Sequence, residues 1–285
     1  MEKYVSPALY GIIGHPIGHS LSPLLHTTAF RAAGFPGILL PWDIAPGELP
    51  AFVRSVRTLN IRGSCITIPH KQGMLPLVDS LTGRARAVGA VNTLYRDGGA
   101  ILGDNTDVPG FSAPLAKKAL DASLPVLLLG AGGAARAAVV GLLEYGFRRI
   151  AIAGRSGAAA AALADEFGVD AVVWEKRGEA DAGLVVNTTP LGMTGAGESE
   201  TPFDRDWFSG RSGTVYDTIY TPRATRFMRE AEEAGWAAVG GLGMFIGQAE
   251  CQFSLWTGLS LPVEAKNAVV RALYGPGVEL AAVDI

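Results

Sequence analysis

The most informative stretch of this 285-residue sequence is PVLLLGAGGAAR, residues 125–136. It opens with a continuous apolar run, which is typical of a strand buried on both faces of a parallel sheet. Gly130, Gly132 and Ala135 then match the G-x-G-x-x-G/A spacing of dinucleotide-binding turns. The first glycine permits a tight turn, the second lets the backbone approach a pyrophosphate, and the small third residue lets helix and strand pack closely. The pattern predicts a dinucleotide at the N-terminus of the next helix, where N–H groups and the helix dipole favour an anion.

The segments after this turn continue the same rhythm of short strands and helices. Further strands are predicted at 150–153, 172–174, 184–186 and 214–216, with a helix at 158–167. This βαβαβ series is the Rossmann pattern.

The first hundred residues predict a second α/β unit. Its strands are expected at 9–14, 38–42 and 64–68, and its helices at 23–33 and 50–59. This alternation favours parallel strands. A last helix is expected at 240–258, where apolar residues recur at helical spacing.

The second Rossmann strand predicts which nicotinamide cofactor is preferred. An enzyme selective for NAD usually places an acidic residue there, on the ribose 2′-hydroxyl. Here the strand ends in Gly154, Arg155 and Ser156, with no acid available. An arginine and a hydroxyl suit the 2′-phosphate of NADP. We therefore predict NADP, with NAD possible.

Composition excludes several classes of protein. The 24 basic and 27 acidic residues are interspersed and give a formal charge of −3, so no nucleic-acid partner is expected. Two distant cysteines, Cys65 and Cys251, exclude a disulfide framework and predict a reducing compartment, the cytoplasm. The uncharged segment 4–30 is broken by prolines and glycines, so no membrane span is expected. No metal is expected either: His15 and His19 have helical spacing, but Pro16 and Gly18 oppose a helix there.

Several polar clusters lie outside the nucleotide unit. Ser20 and Ser22 precede a proline-started helix, where either serine could be an N-cap or the two could hold a carboxylate. Lys71 lies just beyond a strand, at the edge where α/β sheets place ligands. Taken singly, Asn92 and Asp107 are typical turn residues.

The ordered set of motifs resembles the shikimate/quinate dehydrogenase family. The matching blocks are GHPIGHSLSP (14–23), TIPHK (67–71), GAVNT (89–93), NTD (105–107), GAGGAAR (130–136), NTTPLGM (187–193), D-x-x-Y-x-P (217–222), GMFIGQ (243–248) and WTG (256–258). They run in the family's order from near residue 10 to near residue 258, so the resemblance covers most of the chain.

The resemblance implies a two-domain α/β enzyme with a deep cleft between an N-terminal substrate domain and a Rossmann domain. The substrate domain would comprise residues 1–106 and 241–285, and the NADP-binding domain residues 107–240. The implied activity is the reversible NADP-dependent reduction of 3-dehydroshikimate to shikimate, a step of aromatic amino acid biosynthesis. The expected partner is a small ring carboxylate, and the chain would be a monomer or homodimer.

The resemblance also implies residue roles. Lys71 and Asp107 would be the catalytic pair. Substrate-binding residues would be Ser20 and Ser22 for the carboxylate, assisted by Tyr220, and Thr67, Asn92 and Gln248 for ring hydroxyls. The cofactor would contact Gly130, Ala131, Gly132, Gly133, Ala134, Arg155, Ser156, Thr188, Met193, Gly241 and Met244.

The reaction needs a hydride carrier and a group that exchanges the hydroxyl proton. A free lysine has a pKa of about 10.4, and a nearby carboxylate raises it further. We therefore expect Lys71 to be the main proton-transfer group and Asp107 to position it and the hydroxyl.

The chain departs from the family pattern at three places. Cys65 replaces a usual Asn before Thr67, Thr27 replaces a usual Asn, and Ala159 lacks the second basic residue often found beyond Arg155. The exact substrate and cofactor therefore stay open between an NADP-dependent shikimate enzyme and a quinate, shikimate or aminoshikimate variant that uses NAD. A non-catalytic nucleotide-binding homologue is a third alternative. A short-chain dehydrogenase is excluded because no tyrosine has a lysine four residues on.

Overall fold

The computed structural model describes residues 6–18, 20–195 and 197–282. Among these residues the chain forms two compact units: unit 1 runs up to Thr106 and resumes at Gln248, and unit 2 runs from Asp107 to Gly247. The sequence-based boundaries differ at the second crossing, since residues 241–247 belong to unit 2. The predicted domains also include residues 1–5 and 283–285, which lie outside the described part of the chain.

Unit 1 contains a mixed six-stranded sheet. Its elements up to residue 104 are β1 (Ala8–Gly14), α1 (Ser22–Ala32), β2 (Gly37–Asp43), α2 (Leu49–Thr58), β3 (Gly63–Ile66), β4 (Ser80–Leu81), α3 (Gly83–Val88), β5 (Thr93–Asp97) and β6 (Ala100–Asp104). The strand order is β2-β1-β3-β5-β6-β4. β1 pairs in parallel with β2 and β3, whereas β5 runs antiparallel to β3 and β6.

The three strands predicted in unit 1 are parallel as expected, and an antiparallel hairpin of β5 and β6 extends their sheet. Asp97 pairs with Ala100 across the two-residue turn Gly98–Gly99, and Gly98 has φ +58°. Two glycines between alternating apolar residues favour a tight hairpin turn. The hairpin brings residues 92 and 93 opposite residues 104–106, and this pairing shapes the site described below.

Unit 2 is a doubly wound sheet. Its elements are α4 (Asp107–Lys118), β7 (Val126–Leu129), α5 (Gly133–Tyr145), β8 (Ile150–Gly154), α6 (Gly157–Phe167), β9 (Asp170–Val173), β10 (Leu184–Asn187), β11 (Thr214–Asp217), α7 (Arg226–Glu233) and β12 (Ala237–Val239). The order is β12-β11-β10-β7-β8-β9, and every neighbouring pair is parallel. This order reverses beside β7 and is that of a Rossmann fold, which confirms the predicted fold class.

Two α-helices follow β12, α8 (Leu242–Thr257) and α9 (Val263–Tyr274), and then a short 3-10 helix (Leu280–Ala282). The boundary between the units falls inside α8. Its first turn belongs to unit 2 because Met244 packs into that unit's apolar core. None of the helices in the described part of the chain combines the length and apolar character needed to cross a bilayer.

Candidate active site

Ser20 and Ser22 lie at the start of α1. The helix N-cap is Leu21, without a side-chain capping bond, and Ser22 is the first helical residue. Ser20 Oγ accepts a hydrogen bond from the Ser22 N–H at 3.3 Å, so neither serine is the N-cap. The two hydroxyls lie beside the N-terminus of α1, where the helix dipole favours a carboxylate.

Thr67 and Lys71 follow the C-terminal end of β3, and both are half-buried. The Thr67 N–H donates to Ile13 O at 3.0 Å, so the chain beyond β3 stays attached to β1. The Lys71 carbonyl accepts a hydrogen bond from the Val91 N–H at 2.8 Å. This bond places the backbone of Lys71 beside the residue that precedes Asn92.

Asn92 is buried and bonded to the segment that leads into α4. Its Oδ1 accepts from the Thr106 N–H at 2.7 Å, and its Nδ2 donates to Thr106 Oγ1 at 3.0 Å. Asp107 follows Thr106 directly and is the first residue of α4. Two hydrogen bonds and two peptide links therefore connect Lys71, Asn92 and Asp107.

Asp104 fixes the segment that carries Thr106 and Asp107. This buried carboxylate accepts hydrogen bonds from Arg84 Nη2 at 2.6 Å and Arg84 Nε at 3.2 Å, and from Thr82 Oγ1 at 2.7 Å. It also accepts from the Asn105 N–H at 2.7 Å. A two-pronged Arg–carboxylate pair gives a defined geometry.

A second group of buried polar side chains lies behind Asn92. Thr93 Oγ1 donates to Asn92 Oδ1 at 2.7 Å and accepts from Gln252 Nε2 at 3.0 Å. Gln252 Oε1 faces His26 Nε2 at 3.2 Å and Cys65 Sγ at 3.3 Å. Complete burial lowers the pKa of His26 to about 4, with the Gln252 hydrogen bond acting the other way. His26 is therefore neutral at physiological pH.

Two departures from the family pattern thus have structural roles. Cys65 makes its hydrogen bond to Gln252, at the rear of this group. Thr27 Oγ1 accepts from the Leu39 N–H at 3.4 Å and so joins α1 to β2. Both residues act within unit 1 as supports for its helices and sheet.

Gln248 and Tyr220 complete the predicted substrate set. Gln248 is half-buried in α8, within unit 1. Tyr220 follows β11 in unit 2, with its ring centroid 4.8 Å from that of Phe245. Burial raises the pKa of Tyr220 above its ordinary value, so its hydroxyl keeps its proton at neutral pH and can donate a hydrogen bond.

The turn between β7 and α5 fits a dinucleotide pyrophosphate. Gly130 has φ +115°, and a Cβ there would lie 2.4 Å from Thr188 Oγ1. An added Cβ at Gly132 would have no atom within 4 Å, so the space above the helix start is open. Gly132 is the α5 N-cap, which provides no side-chain cap for the first N–H groups. Ala131, Gly133 and Ala134 complete the turn and are half-buried.

A cavity of about 270 Å³ lies at the ends of β8 and β9, lined in part by Arg155, Trp174 and Glu175. The Arg177 guanidinium lies 4.2 Å from the centroid of the Trp174 ring and fixes it. Ser156 Oγ accepts the Ala159 N–H at 3.3 Å as the N-cap of α6. Its hydroxyl proton is still available to a ligand oxygen.

Asn187 and Asp217 end β10 and β11 and are fully buried. Asn187 Nδ2 donates to Asp217 Oδ1 at 3.1 Å and to Leu191 O at 3.2 Å. Asp217 also accepts from the Ile219 N–H and, at 2.7 Å, from Thr225 Oγ1. Burial raises the pKa of Asp217 to about 6, although these hydrogen bonds lower it. The network attaches the loops that carry Thr188, Met193 and Tyr220 to the strand ends.

The remaining predicted cofactor residues differ in exposure. Met193 is 43% exposed, whereas Met244 is 8% exposed and packs in the core of unit 2. A Cβ at Gly241 would lie 2.2 Å from Thr218 O, so only glycine fits there. Among the described residues, no group of three or more His, Cys, Asp or Glu is placed to hold a metal ion, and His19 lies outside them.

Three buried residues around the site, Gln252, His26 and Asp217, have roles that the sequence did not predict. Asp217 begins the D-x-x-Y-x-P motif, but the motif alone assigns it no role. His26 and Gln252 are 226 residues apart, and no local pattern predicts that they meet. A buried glutamine needs a hydrogen-bonding partner, because an unpaired buried amide costs about 1–3 kcal/mol.

Models of three protein families match the chain. They are the shikimate dehydrogenase substrate binding domain at residues 12–94, shikimate/quinate 5-dehydrogenase at 114–180, and the shikimate 5′-dehydrogenase C-terminal domain at 241–271.

Individual proteins are similar over nearly the whole chain. A shikimate dehydrogenase (NADP(+)) of Pelobacter propionicus is 55% identical over 274 residues, covering 96% of this chain and 99% of the relative. A shikimate 5-dehydrogenase structure from Thermus thermophilus, in complex with NADP(H) and shikimate, has a TM-score of 0.84 at 37% identity and covers 93% of this chain and 100% of that one. A quinate dehydrogenase from Corynebacterium glutamicum in complex with NAD has a TM-score of 0.85 at 30% identity and covers 93% and 99%.

Proposed function

The chain belongs to the shikimate dehydrogenase family, and we propose that it catalyses the reversible NADP-dependent reduction of 3-dehydroshikimate to shikimate. The observation that carries this proposal is the linkage of Lys71, Asn92 and Asp107 through the Val91 and Thr106 backbone. It places an amine, an amide and a carboxylate on neighbouring segments, and these are the groups that a polyhydroxylated ring with a reacting hydroxyl requires.

NADP fits unit 2 on two observations. Gly132 leaves open space over the N-terminus of α5, where a pyrophosphate accepts hydrogen bonds from backbone N–H groups. Arg155 lines a cavity at the end of β8, where a guanidinium can pair with a 2′-phosphate. The bound cofactor supplies or accepts the hydride. Ala131, Gly133, Ala134, Ser156, Thr188, Met193, Gly241 and Met244 are the further proposed contacts.

The substrate carboxylate is proposed to bind Ser20 and Ser22, with the Tyr220 hydroxyl as a further donor. Thr67, Asn92 and Gln248 are proposed to bind ring hydroxyls. Each is a neutral hydrogen-bonding group, and such groups discriminate strongly against analogues that lack the matching hydroxyl, because a buried partner is then left unpaired.

Lys71 is proposed to transfer the proton. In the reducing direction its ammonium donates a proton to the developing alkoxide oxygen, and in the oxidising direction its amine accepts the proton from the hydroxyl. Asp107 accepts a hydrogen bond and orients Lys71 and the hydroxyl.

A variant that oxidises quinate or uses NAD is the second candidate. Its use of NAD is favoured by the charges at the cofactor cavity, where Arg155 is the one basic residue of the described lining, Glu175 adds a negative charge, and Ala159 supplies no second positive one. We place the reaction in the cytoplasm, supported by two free cysteines, with the protein acting as a monomer or homodimer.

An activity matrix tests the proposed function. Shikimate and quinate are each combined with NADP⁺ and NAD⁺, and reduced-cofactor absorbance is recorded. We expect the highest kcat/KM for shikimate with NADP⁺, and 3-dehydroshikimate as the preferred reactant in the reverse direction. A higher kcat/KM for quinate with NAD⁺ would favour the second candidate, and no turnover in any combination would indicate a non-catalytic homologue.

A further inference from the structure

A buried chain of hydrogen bonds behind Asn92 has no part in the proton transfer described above. It runs from Asn92 through Thr93 to Gln252 and ends at Cys65 and His26. All five residues are at most 4% exposed. Buried polar groups in such numbers are costly unless every donor meets an acceptor, so the direction of each hydrogen bond in the chain is constrained.

At Asn92, a backbone N–H determines which atoms of the hydrogen-bond chain donate and which accept. The Thr106 backbone N–H can only donate, and it lies 2.7 Å from Asn92 Oδ1. That contact identifies the atom as the amide oxygen rather than the nitrogen. Thr93 Oγ1 lies 2.7 Å from the same oxygen and 3.1 Å from Thr106 Oγ1. The shorter contact, to an amide oxygen that can only accept, takes the one proton of Thr93, and Thr106 Oγ1 is then the donor to Thr93.

The far end agrees with this direction. Thr93 has no second proton, so the Gln252 atom 3.0 Å away must donate, which makes it Nε2. Gln252 Oε1 then faces Cys65 Sγ and His26 Nε2, and both can donate. The neutral state of His26 allows the tautomer with its proton on Nε2. A flipped Gln252 amide would set two oxygens against each other at Thr93.

We infer that Gln252 is a positioning residue for substrate recognition, acting through Thr93 to fix the orientation of the Asn92 amide. This rests on the proposed role of Asn92 in binding a ring hydroxyl. With Oδ1 held on Thr93 and Thr106, the Nδ2 group, which donates to Thr106 Oγ1 at 3.0 Å, is fixed as the donor side of the Asn92 amide. Cys65, which departs from the family pattern, contributes as a donor to Gln252 Oε1.

Variants that break this chain of hydrogen bonds should be impaired with shikimate but not with NADP⁺. Without Gln252, the Thr93 hydroxyl can rotate away from Asn92 Oδ1, and the amide loses one of the contacts that define its orientation. We expect Gln252→Leu and Thr93→Val to lower kcat/KM for shikimate about tenfold or more, since one good hydrogen bond corresponds to about 1.4 kcal/mol, a factor of ten. The KM for NADP⁺ should change less than twofold.

A double-mutant cycle tests whether Gln252 acts through Asn92. The KM and kcat for shikimate, the KM for NADP⁺ and the melting temperature are measured for Asn92→Ala, Gln252→Leu and the double variant. If Gln252 acts through Asn92, the double variant should be within twofold of Asn92→Ala. Thr93→Ser retains the hydroxyl and should recover activity to within threefold of the wild type. Thr257→Val is the matched control, because it removes a hydroxyl from the same helix that bonds, among the residues that the structure describes, only to Phe253 O and the Leu259 N–H.

The outcomes separate this inference from the proposed function. If Asn92→Ala is impaired but Gln252→Leu is not, or if their losses multiply in the double variant, the inference is wrong and the proposed function stands. If Asn92→Ala itself retains wild-type kcat/KM, the role of Asn92 fails and the inference fails with it. If Gln252→Leu does not fold, the comparison of Thr93→Val with Thr93→Ser decides in the same way.

Discussion

At the scale of single residues, the proposed site depends on side chains whose orientation is set by buried partners. Asn92 alone is an ordinary turn residue in the sequence. In the structure its amide oxygen is bonded to Thr106 and Thr93, and its neighbour Val91 is bonded to Lys71. A residue with both sides of its side-chain amide engaged loses little conformational freedom on binding a ligand, which is how preorganisation improves recognition.

His26 makes a residue-scale prediction about stability. Its pKa is about 4 in the folded protein against an ordinary value of 6.5, so the folded state binds fewer protons than the unfolded state between these values. Burial of neutral His26 therefore costs no stability above pH 6.5, and the free energy of unfolding falls as the pH drops from 6.5 towards 4. The gap between these two pKa values implies that the free energy of unfolding is about 2 kcal/mol lower at pH 5 than at pH 7.

When the pH is lowered from 7 to 5, the free energy of unfolding measured in urea should fall by about 2 kcal/mol less in His26→Gln than in the wild type. Other groups contribute equally to both proteins and cancel in the comparison. An unchanged pH dependence in His26→Gln would mean that His26 is not buried in its neutral form.

At the scale of secondary structure elements, the β7–α5 turn separates a structural glycine from a binding glycine. Gly130 has a positive φ and contacts Thr188, whereas Gly132 has ordinary dihedral angles and open space around it. The fingerprint spacing in the sequence predicts that both positions are glycine. It does not say which glycine is needed for the backbone conformation and which leaves space for a ligand. That distinction needs the packing of the β10 end against the turn.

Alanine at Gly130 should therefore affect stability, whereas alanine at Gly132 should affect cofactor binding. Gly130→Ala forces a Cβ against Thr188 and a strained backbone, so we expect a loss of about 1–3 kcal/mol in unfolding free energy. Gly132→Ala should leave stability within about 0.5 kcal/mol but raise the KM for NADP⁺ several-fold, because the methyl group occupies the space proposed for the pyrophosphate. Thermal melts and cofactor titrations measure the two effects. A Gly132→Ala variant with wild-type NADP⁺ affinity would argue against pyrophosphate binding over α5.

The elements themselves were predictable to different degrees. The apolar runs that form β7, β8, β10 and β11 were predicted within one or two residues, since strands buried on both faces have an unmistakable composition. The β5–β6 hairpin was not predicted, although its Gly98–Gly99 turn is a sequence signal. The polar chain from Gln252 to Asn92 could not be predicted, because it joins distant parts of the sequence through tertiary packing.

At the scale of the whole molecule, the chain is two α/β units whose sequence segments interleave. Unit 1 includes the C-terminal residues from Gln248 onward, and among them Gln252 of α8 bonds to Thr93, next to Asn92. Within the described part of the chain, unit 2 is formed by one continuous segment. Of the two proposed catalytic residues, Lys71 belongs to unit 1 and Asp107 is the first residue of unit 2.

The most direct test is the kcat for shikimate oxidation with NADP⁺ by Lys71→Ala, in protein shown to be folded by its melting temperature. Lys176→Ala, which removes an exposed positive charge from unit 2, is the control and should retain wild-type kcat. If Lys71 exchanges the hydroxyl proton, kcat should fall by about 100-fold or more, the usual contribution of a general acid or base. A loss of less than about tenfold would contradict this role and the proposed chemistry that depends on it.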